Sequence, residues 1–267
     1  MRFQDQVVII TGAGRGMGFA FAEAFGREGA QVIIGELVAE RGLQAAEQLN
    51  AQGYKAQAIP LDVTKTDSCR ALTEQVMAEH GHIDVLVNNA GLFILHKSED
   101  MPEADWRIQI DVMLSGVFFM TQAVAKAAMI PQQRGNIVSV ASIGGMGGWP
   151  MRSAYNAAKA GVISLTEVLA SEWAHYGIRV NCISPGVTRT DMLNVAIKEG
   201  VATVDKYENR TPLGRLAETK EMADAVLFLA SERAKHITGM NLRVDGGWVP
   251  WAAMFGAVGY PEEPANG

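Results

Sequence analysis

Seven short apolar runs alternate with helical patterns along this chain of 267 residues, and this alternation constrains the fold more than any other feature. The runs are Val7–Ile10, Val32–Ile34, a segment ending near Pro60, Val85–Val87, Asn136–Val140, Val180–Ile183 and Asn241–Val244. Strands separated by helices form βαβ units, which build a parallel sheet with helices on both faces. The runs lack the polar alternation of a half-exposed strand, as expected when both faces are covered. The sequence therefore predicts one doubly wound α/β domain over residues 1–250.

Two segments fall outside this alternation. From Thr188 to Leu216 the core signals are sparse, and we expect the part between Thr190 and Thr211 to close over bound ligands as a lid. Residues 251–267 form a C-terminal extension that is apolar for its position. We expect part of this extension to be buried against another subunit.

The composition excludes several functional classes. A formal net charge of −6 and a pI near 5.4 argue against nucleic-acid and anionic-membrane binding, which favour a basic face. Two cysteines, Cys69 and Cys182, form neither a disulfide framework nor a metal set, so no metal site is predicted. The N-terminal segment is too short and polar for a signal peptide, and no uninterrupted apolar run reaches membrane-spanning length. We expect a cytoplasmic protein.

A glycine-rich turn, TGAGRGMG at residues 11–18, joins the first strand to the first helix. Gly12, Gly16 and Gly18 form GxxxGxG, which differs from the common GxGxxG fingerprint. Glycine permits a tight turn and close backbone approach to a pyrophosphate, while the helix N-terminus supplies free N–H donors and partial positive charge. A loop that merely packs strand against helix has the same composition. The position directly after the first strand favours a Rossmann-type dinucleotide site.

Glu36 ends the second strand, 18 residues after Gly18. An acid here accepts hydrogen bonds from the adenosine ribose hydroxyls and repels a 2′-phosphate, which favours NAD over NADP. Arg15 could contact a 2′-phosphate, so NADP is the less favoured alternative. A solvated Glu36 without a role is the other interpretation.

Tyr155 and Lys159 are four residues apart in YNAAK, which places them on one face of a helix. A free phenol has a pKa of about 10, too high for a base at neutral pH, and a nearby cation lowers that pKa. Tyrosine and lysine share this spacing in many helices, so the motif predicts a catalytic site only together with the other motifs of the chain.

Together these motifs resemble the short-chain dehydrogenase/reductase family, over nearly the whole chain from Thr11 to about Gly247. Further matches are LDVT with Asp62 and Val63, NNAG at Asn88–Gly91, Ser142 thirteen residues before Tyr155, Pro185 and Gly186 followed by Thr190, and Asp245–Gly247. The resemblance implies Ser142, Tyr155 and Lys159 as catalytic residues. The cofactor-binding residues predicted from the turn and the resemblance are Gly12, Arg15, Gly16, Met17, Gly18, Glu36, Asp62, Val63, Asn89, Ala90, Gly91, Tyr155, Lys159, Pro185, Gly186, Val187 and Thr190. The resemblance also implies a homotetramer.

This constellation predicts hydride transfer. Tyr155 exchanges the hydroxyl proton, Lys159 lowers the pKa of Tyr155, and Ser142 hydrogen-bonds the substrate oxygen. One position departs from the family, because Met113 in VMLSG stands where many members carry an asparagine that holds a relay water. Methionine makes no strong hydrogen bond. We expect an altered relay with activity retained.

Three segments are expected to line the substrate pocket, and they contribute Phe93, His96, Ile143, Trp149, Arg152 and Met192. His96 and Arg152 could recognise hydroxyls or an acidic group, although charged side chains mostly lie in water. The sequence favours an NAD-dependent oxidoreductase of a sugar, polyol or similar small hydroxylated compound. Cyclic, steroid-like or 3-oxoacyl substrates are alternatives. An NAD-binding sensor or scaffold with impaired catalysis is an alternative of another class, and only Met113 supports it.

Overall fold

One sheet of seven parallel strands forms the centre of the computed structural model, which describes residues 1–200 and 203–251 apart from the side chains of residues 191, 192 and 195. The strands are β1 (Val7–Thr11), β2 (Gln31–Glu36), β3 (Lys55–Pro60), β4 (Val85–Asn88), β5 (Gly135–Val140), β6 (Ile178–Pro185) and β7 (Asn241–Val244). Their order across the sheet is β3-β2-β1-β4-β5-β6-β7. The predicted doubly wound parallel sheet is confirmed, and each predicted run lies within one of these strands.

Helices cover both faces of the sheet. They are α1 (Gly16–Arg27), α2 (Ala39–Ala51), α3 (Thr66–His80), α4 (Glu103–Gln132), α5 (Ser153–Trp173), α6 (Asp191–Lys198), α7 (Val204–Arg210) and α8 (Thr219–Ala230). The apolar side chains of α1, α2 and α8 share one core layer. Those of α3, α4 and α5 share the other layer.

Successive side chains of a strand enter opposite core layers. Val8 and Ile10 belong to the layer that contains Phe21 of α1, whereas Val7 and Ile9 belong to the opposite layer. All four strand residues are buried. Because both faces of the strand meet apolar helices, both sets of side chains must be apolar.

Helix α4 is irregular in two places, with π-helical turns at Asp111–Ser115 and Ala125–Met129. By length and composition α4 could cross a membrane, although 44% of its most apolar window is buried inside the protein. It packs against α3 and α5. Core helices of globular proteins commonly share this composition, so α4 does not by itself predict a membrane span.

The segment from Thr188 to Leu216 contains more structure than its sequence predicts. Helices α6 and α7 both lie in it, and the Thr203 hydroxyl caps α7 by accepting a hydrogen bond from the backbone N–H of Lys206 (3.4 Å). The predicted extension at 251–267 lies outside the described residues except for Trp251. The carbonyl oxygen of Trp251 accepts a hydrogen bond from Arg210 Nη2 (2.7 Å).

Candidate active site

A cleft opens at the carboxyl ends of the central strands. Its floor comes from residues that follow β4, β5 and β6, and it encloses about 840 Å³ of empty space, open solvent included. The strand order reverses between β1 and β4, and ligands of open α/β sheets bind at such a reversal. Most of the residues predicted from the sequence lie in or beside this cleft.

The glycine-rich turn forms a tight cradle at the N-terminus of α1. Gly12 and Gly16 have φ angles of +63° and +59°, in the left-handed region that favours glycine. A Cβ atom at Gly18 would collide with the Gly12 carbonyl oxygen and lie 2.5 Å from Asn89 Nδ2, whereas a Cβ atom at Gly16 would meet no atom within 4 Å. No side chain among the described residues caps the N-terminus of α1. The first backbone N–H groups of α1 therefore have no capping side chain and are available to a ligand.

Hydrogen bonds tie the turn to the end of β4. The Thr11 hydroxyl accepts from the backbone N–H groups of Asn89 and Ala90, both at 3.0 Å. Asn89 Nδ2 donates to the carbonyl oxygens of Thr11 and Gly12, also at 3.0 Å. The NNAG segment thus fixes the two sides of the cleft relative to each other, and Asn89, Gly91 and Met17 line it.

Glu36 is buried at the end of β2, beside the turn. Its carboxylate accepts hydrogen bonds from the backbone N–H of Gly14 (3.0 Å), from that of Val38 (3.2 Å) and from Arg41 Nη2 (2.5 Å). Burial alone would raise the pKa of Glu36, but the hydrogen bonds from Arg41 and the two backbone groups outweigh it and lower the pKa. Glu36 is therefore ionised at neutral pH and paired with Arg41, a residue that the sequence analysis did not single out.

Asp62 and Val63 follow β3 on the same side of the cleft as Glu36. The Asp62 carboxylate accepts from the backbone N–H of Thr64 (2.9 Å) and from its hydroxyl (2.7 Å). Val63 is buried and packs against Gly116 of α4, where a Cβ atom would lie 2.8 Å from Val63 Cγ2. Neither residue belongs to the cleft lining, and their part in cofactor binding stays a prediction.

Ser142 and Tyr155 meet across Gly144. A Cβ atom at Gly144 would lie 3.4 Å from Ser142 Oγ and 3.2 Å from Tyr155 Cε1. The Ser142 hydroxyl accepts a hydrogen bond from the backbone N–H of Gly144 (3.0 Å), so its own proton can point to a ligand. Burial raises the pKa of Tyr155, and this outweighs the opposite effects of the Ser142 hydroxyl and of the positive charge on Arg152.

Lys159 lies one turn further along α5 and is 5% exposed. Its Nζ donates to the carbonyl oxygen of Val140 at the end of β5 (2.6 Å) and lies 5.9 Å from the centre of the Tyr155 ring. Burial lowers the pKa of Lys159 to about 8. Without a ligand, burial thus favours the neutral forms of both Tyr155 and Lys159.

Met113 occupies the floor of the cleft within the first π-helical turn of α4. It is fully buried, and its Sδ and Cγ would lie 3.8 Å from a Cβ atom at Gly91. Asp111, two residues earlier, is exposed. The structure therefore offers no side-chain donor or acceptor from Asp111 or Met113 for a relay behind Lys159.

The outer part of the cleft is aromatic. Phe93 packs edge-on against Tyr155 with 5.1 Å between ring centres, and Trp149 stacks on Trp248 at 5.1 Å. Ile143, Arg152 and Tyr207 also line the cleft. Tyr207 was not predicted because it lies in α7, the helix that the sequence did not reveal.

Two predicted pocket residues are placed differently. His96 is absent from the cleft lining, because its Nε2 pairs with Asp105 Oδ2 (2.7 Å) at the start of α4. This placement corrects the expectation that His96 contacts substrate. Met192 lies in α6, and its side chain is outside the described residues.

The end of β6 and the segment after it form the remaining wall, with Pro185, Gly186, Val187 and Thr190 lining the cleft. A Cβ atom at Gly186 would lie 2.8 Å from Asp245 Cα, so only glycine fits against the DGG segment. Thr188 bridges to Ala217 and holds the start of the predicted lid on the domain.

These features fit an extended dinucleotide. The uncapped N-terminus of α1 and the open space at Gly16 suit a pyrophosphate, and the ionised Glu36 suits ribose hydroxyls. Tyr155 and Lys159 line the cleft together with Met17 of the glycine-rich turn. Arg15, the N-cap residue of α1, flanks the pyrophosphate position.

Comparisons with known proteins agree with this geometry. The family model described as enoyl-(acyl carrier protein) reductase matches residues 12–249. The trans-4-hydroxycyclohexanecarboxylate dehydrogenase of Sinomonas cyclohexanicum is 38% identical over 92% of this chain and 93% of its own. The 3-oxoacyl-(acyl carrier protein) reductase of Thermotoga maritima is 39% identical over 93% of this chain and all of its own (100%). The structure of NAD⁺-bound xylitol dehydrogenase aligns with a TM-score of 0.88 at 30% identity, over 92% of this chain and 100% of that chain.

Proposed function

Because the chain belongs to the short-chain dehydrogenase/reductase family, we propose that it is an NAD-dependent oxidoreductase that interconverts a secondary alcohol and its ketone. The observation that carries the proposal is the convergence of Ser142, Tyr155 and Lys159 on one cleft, which Met17 of the glycine-rich turn also lines. A bound nicotinamide supplies the hydride acceptor for oxidation and the hydride donor for reduction.

The residues of this chain handle the proton and the substrate oxygen. In oxidation Tyr155 accepts the hydroxyl proton as the carbonyl forms, and in reduction it returns that proton. Ser142 donates a hydrogen bond to the same oxygen and stabilises its developing charge. Lys159 lies close enough to favour the phenolate of Tyr155 once it is protonated, because an opposite charge nearby lowers a phenol pKa.

The preference for NAD rests on Glu36. A buried, ionised carboxylate beside the glycine-rich turn repels a 2′-phosphate and can accept hydrogen bonds from the adenosine ribose hydroxyls. Arg41 opposes this preference, because its guanidinium could contact a 2′-phosphate if it left Glu36. Since Arg41 is held by Glu36, we propose that NAD is preferred and NADP is used less well.

The proposed substrate is a sugar, polyol or similar small hydroxylated compound. Three relatives are named for a cyclic hydroxy acid, a polyol and a 3-oxoacyl group, and each of these compounds contains a secondary alcohol or a ketone. The relatives therefore support the reaction class more than they support any one substrate. A cyclic alcohol is the second candidate, favoured by the aromatic walls at Phe93 and Trp149.

We also propose a cytoplasmic homotetramer. Trp106 and Ile108 on α4 and Val168 on α5 are large apolar side chains that are 39–48% exposed. Such residues on adjacent helix faces favour contact with a second copy of the chain. Light scattering on the purified protein tests this, and a monomer at micromolar concentration would contradict it.

The function is tested by following reduced nicotinamide with NAD or NADP and a panel of sugars, polyols and cyclic alcohols. We expect turnover with NAD and its loss in Tyr155→Phe, which removes only the phenol oxygen. Tyr176→Phe is the matched control, because Tyr176 lies beyond α5 and outside the cleft lining. Tight NAD binding without turnover of any compound would favour the sensor alternative.

A further inference from the structure

Arg152 places a positive charge in the cleft. It lines the cleft three residues before Tyr155, and no acidic side chain of the described residues forms an ion pair with it. Other arginines do pair with carboxylates, among them Arg41 with Glu36 and Arg107 with Glu103. The anion that would complement Arg152 is therefore not supplied by the described part of the chain.

The hydrogen-bonding groups of Arg152 are only partly used. Nη2 donates to the Tyr207 hydroxyl (3.2 Å), while Nε is buried and has no hydrogen-bond partner among the described residues. A buried N–H group without an acceptor is unfavourable, so this edge of the guanidinium is suited to a ligand oxygen. The Tyr207 hydroxyl accepts from Arg152, which leaves its own proton free for the same ligand. Tyr207 is itself buried and lines the cleft.

The surroundings hold the guanidinium in place. Arg152 Cζ lies 4.6 Å from the centre of the Trp149 ring and 5.1 Å from that of Phe93, both within the range of cation–π contact. The preceding residue, Met151, has φ +66°, a left-handed conformation that a side chain rarely adopts. The backbone N–H of His96 donates to the Met151 carbonyl oxygen (3.2 Å) and supports this turn. Backbone strain of this kind is concentrated at functional sites.

Phe93 contacts both this cation and the proton-transfer group. Its ring centre lies 5.1 Å from the Tyr155 ring centre and 5.1 Å from Arg152 Cζ. A ligand that reaches both residues therefore lies beside this aromatic side chain. The part of the ligand between its anionic group and its reacting carbon contacts this apolar wall.

We propose that Arg152 and Tyr207 bind the carboxylate of the substrate. The substrate class is a hydroxy acid or oxo acid whose part beside Phe93 is apolar, which favours an acidic substrate over the uncharged sugars and polyols of the proposed function. The planar fork of arginine matches the two oxygens of a carboxylate, and the tyrosine hydroxyl adds a third donor. The assignment of a reacting carbon beside Tyr155 rests on the proposed function. The anion site at Arg152 does not depend on that function.

Binding measurements test the anion site without any turnover. Calorimetry with and without NAD compares cyclohexanecarboxylate with its neutral isostere cyclohexanecarboxamide, for the wild type and for Arg152→Gln, Tyr207→Phe and Arg107→Gln. We expect the wild type to bind the acid about 10–100-fold more tightly than the amide, as for a charge-assisted pair. Arg152→Gln should abolish this preference and Tyr207→Phe should reduce it. Arg107→Gln, at an exposed residue of α4, should retain it.

Kinetics then separate substrate binding from an effect on Tyr155. The acid-to-amide ratio of kcat/KM is measured with 4-hydroxycyclohexanecarboxylate and 4-hydroxycyclohexanecarboxamide, and it should fall by about 10–100-fold in Arg152→Gln. If Arg152 acts only by lowering the pKa of Tyr155, both substrates lose equally and the proposal is wrong. Equal binding of acid and amide by the wild type would also overturn it, while turnover of other alcohols would leave the proposed function standing. Preferential binding of the acid without turnover would support the anion site and contradict the proposed function.

Discussion

Replacing Lys159 by methionine is expected to stabilise the protein at neutral pH while it removes the proposed activity. The Lys159 amine is buried, and burial lowers its pKa from 10.5 to about 8. A lowered lysine pKa means that the charge on Lys159 destabilises the folded state relative to the unfolded state. Methionine fills similar space without a charge, so the cost disappears.

The magnitude follows from the shift. A difference of 2.5 pKa units corresponds to about 3 kcal/mol at pH 7, where both the folded and the unfolded chain bind the proton. The variant also loses the hydrogen bond to the Val140 carbonyl oxygen, which costs about 1 kcal/mol. We therefore expect the variant to gain about 2 kcal/mol in free energy of unfolding, or roughly 4–6 °C in Tm for a chain of this size.

The pH dependence gives the sharper test. Between pH 8 and 10.5 the unfolded chain binds the Lys159 proton and the folded chain does not, so the wild type gains stability relative to the variant as the pH rises. The advantage of Lys159→Met should therefore shrink above pH 8. Thermal unfolding of the ligand-free proteins at matched concentration from pH 7 to 10 measures it.

Lys126→Met is the control, because Lys126 is exposed on α4. It should show no comparable change with pH. A Lys159→Met variant that is less stable than the wild type at pH 7, or a difference that does not change with pH, would refute the reasoning.

Three further predictions concern the relay and the cofactor. Met113→Asn should restore a polar group behind Lys159 and shift the pH profile of kcat, and an unchanged profile would mean that this position plays no part in proton transfer. Glu36→Gln should raise kcat/KM for NADP by about 10-fold or more, because it removes the charge that repels the 2′-phosphate. Arg41→Gln should lower kcat/KM for NADP, because it removes a guanidinium that could contact the 2′-phosphate. A variant that changes kcat/KM equally for NAD and NADP would contradict the prediction made for it. Gly18→Ala should weaken NAD binding measured by calorimetry by at least about 10-fold, because the new Cβ atom meets the Gly12 carbonyl oxygen, and normal affinity would show that the turn can relax.

The sequence predicts the parts of the fold that depend on local pattern. β7 begins and ends at the predicted residues, Asn241 and Val244, although it alternates polar and apolar side chains and is only partly buried. The spacing of Ser142, Tyr155 and Lys159 likewise places the three around one strand end and one helix face. Their catalytic roles stay predictions.

Other features depend on contacts that the sequence does not display. His96 appeared suited to the pocket, but Asp105, nine residues later, pairs with it. Arg41 takes part in the site only because Glu36 turns toward it. Tyr207 enters the cleft on α7, which is too short for a clear hydrophobic period, and its only local signal is the capping residue Thr203.

The stacked indoles of Trp149 and Trp248 give the protein an optical property of its own. Their ring centres are 5.1 Å apart and their planes differ by 17°, close enough for their electronic transitions to couple. One indole belongs to the cleft wall, and the other packs beneath the Arg210 guanidinium at 4.9 Å. Any ligand that separates the pair changes the near-ultraviolet circular dichroism and the tryptophan emission. Occupancy of the cleft can therefore be followed in the unlabelled protein, before any substrate is known.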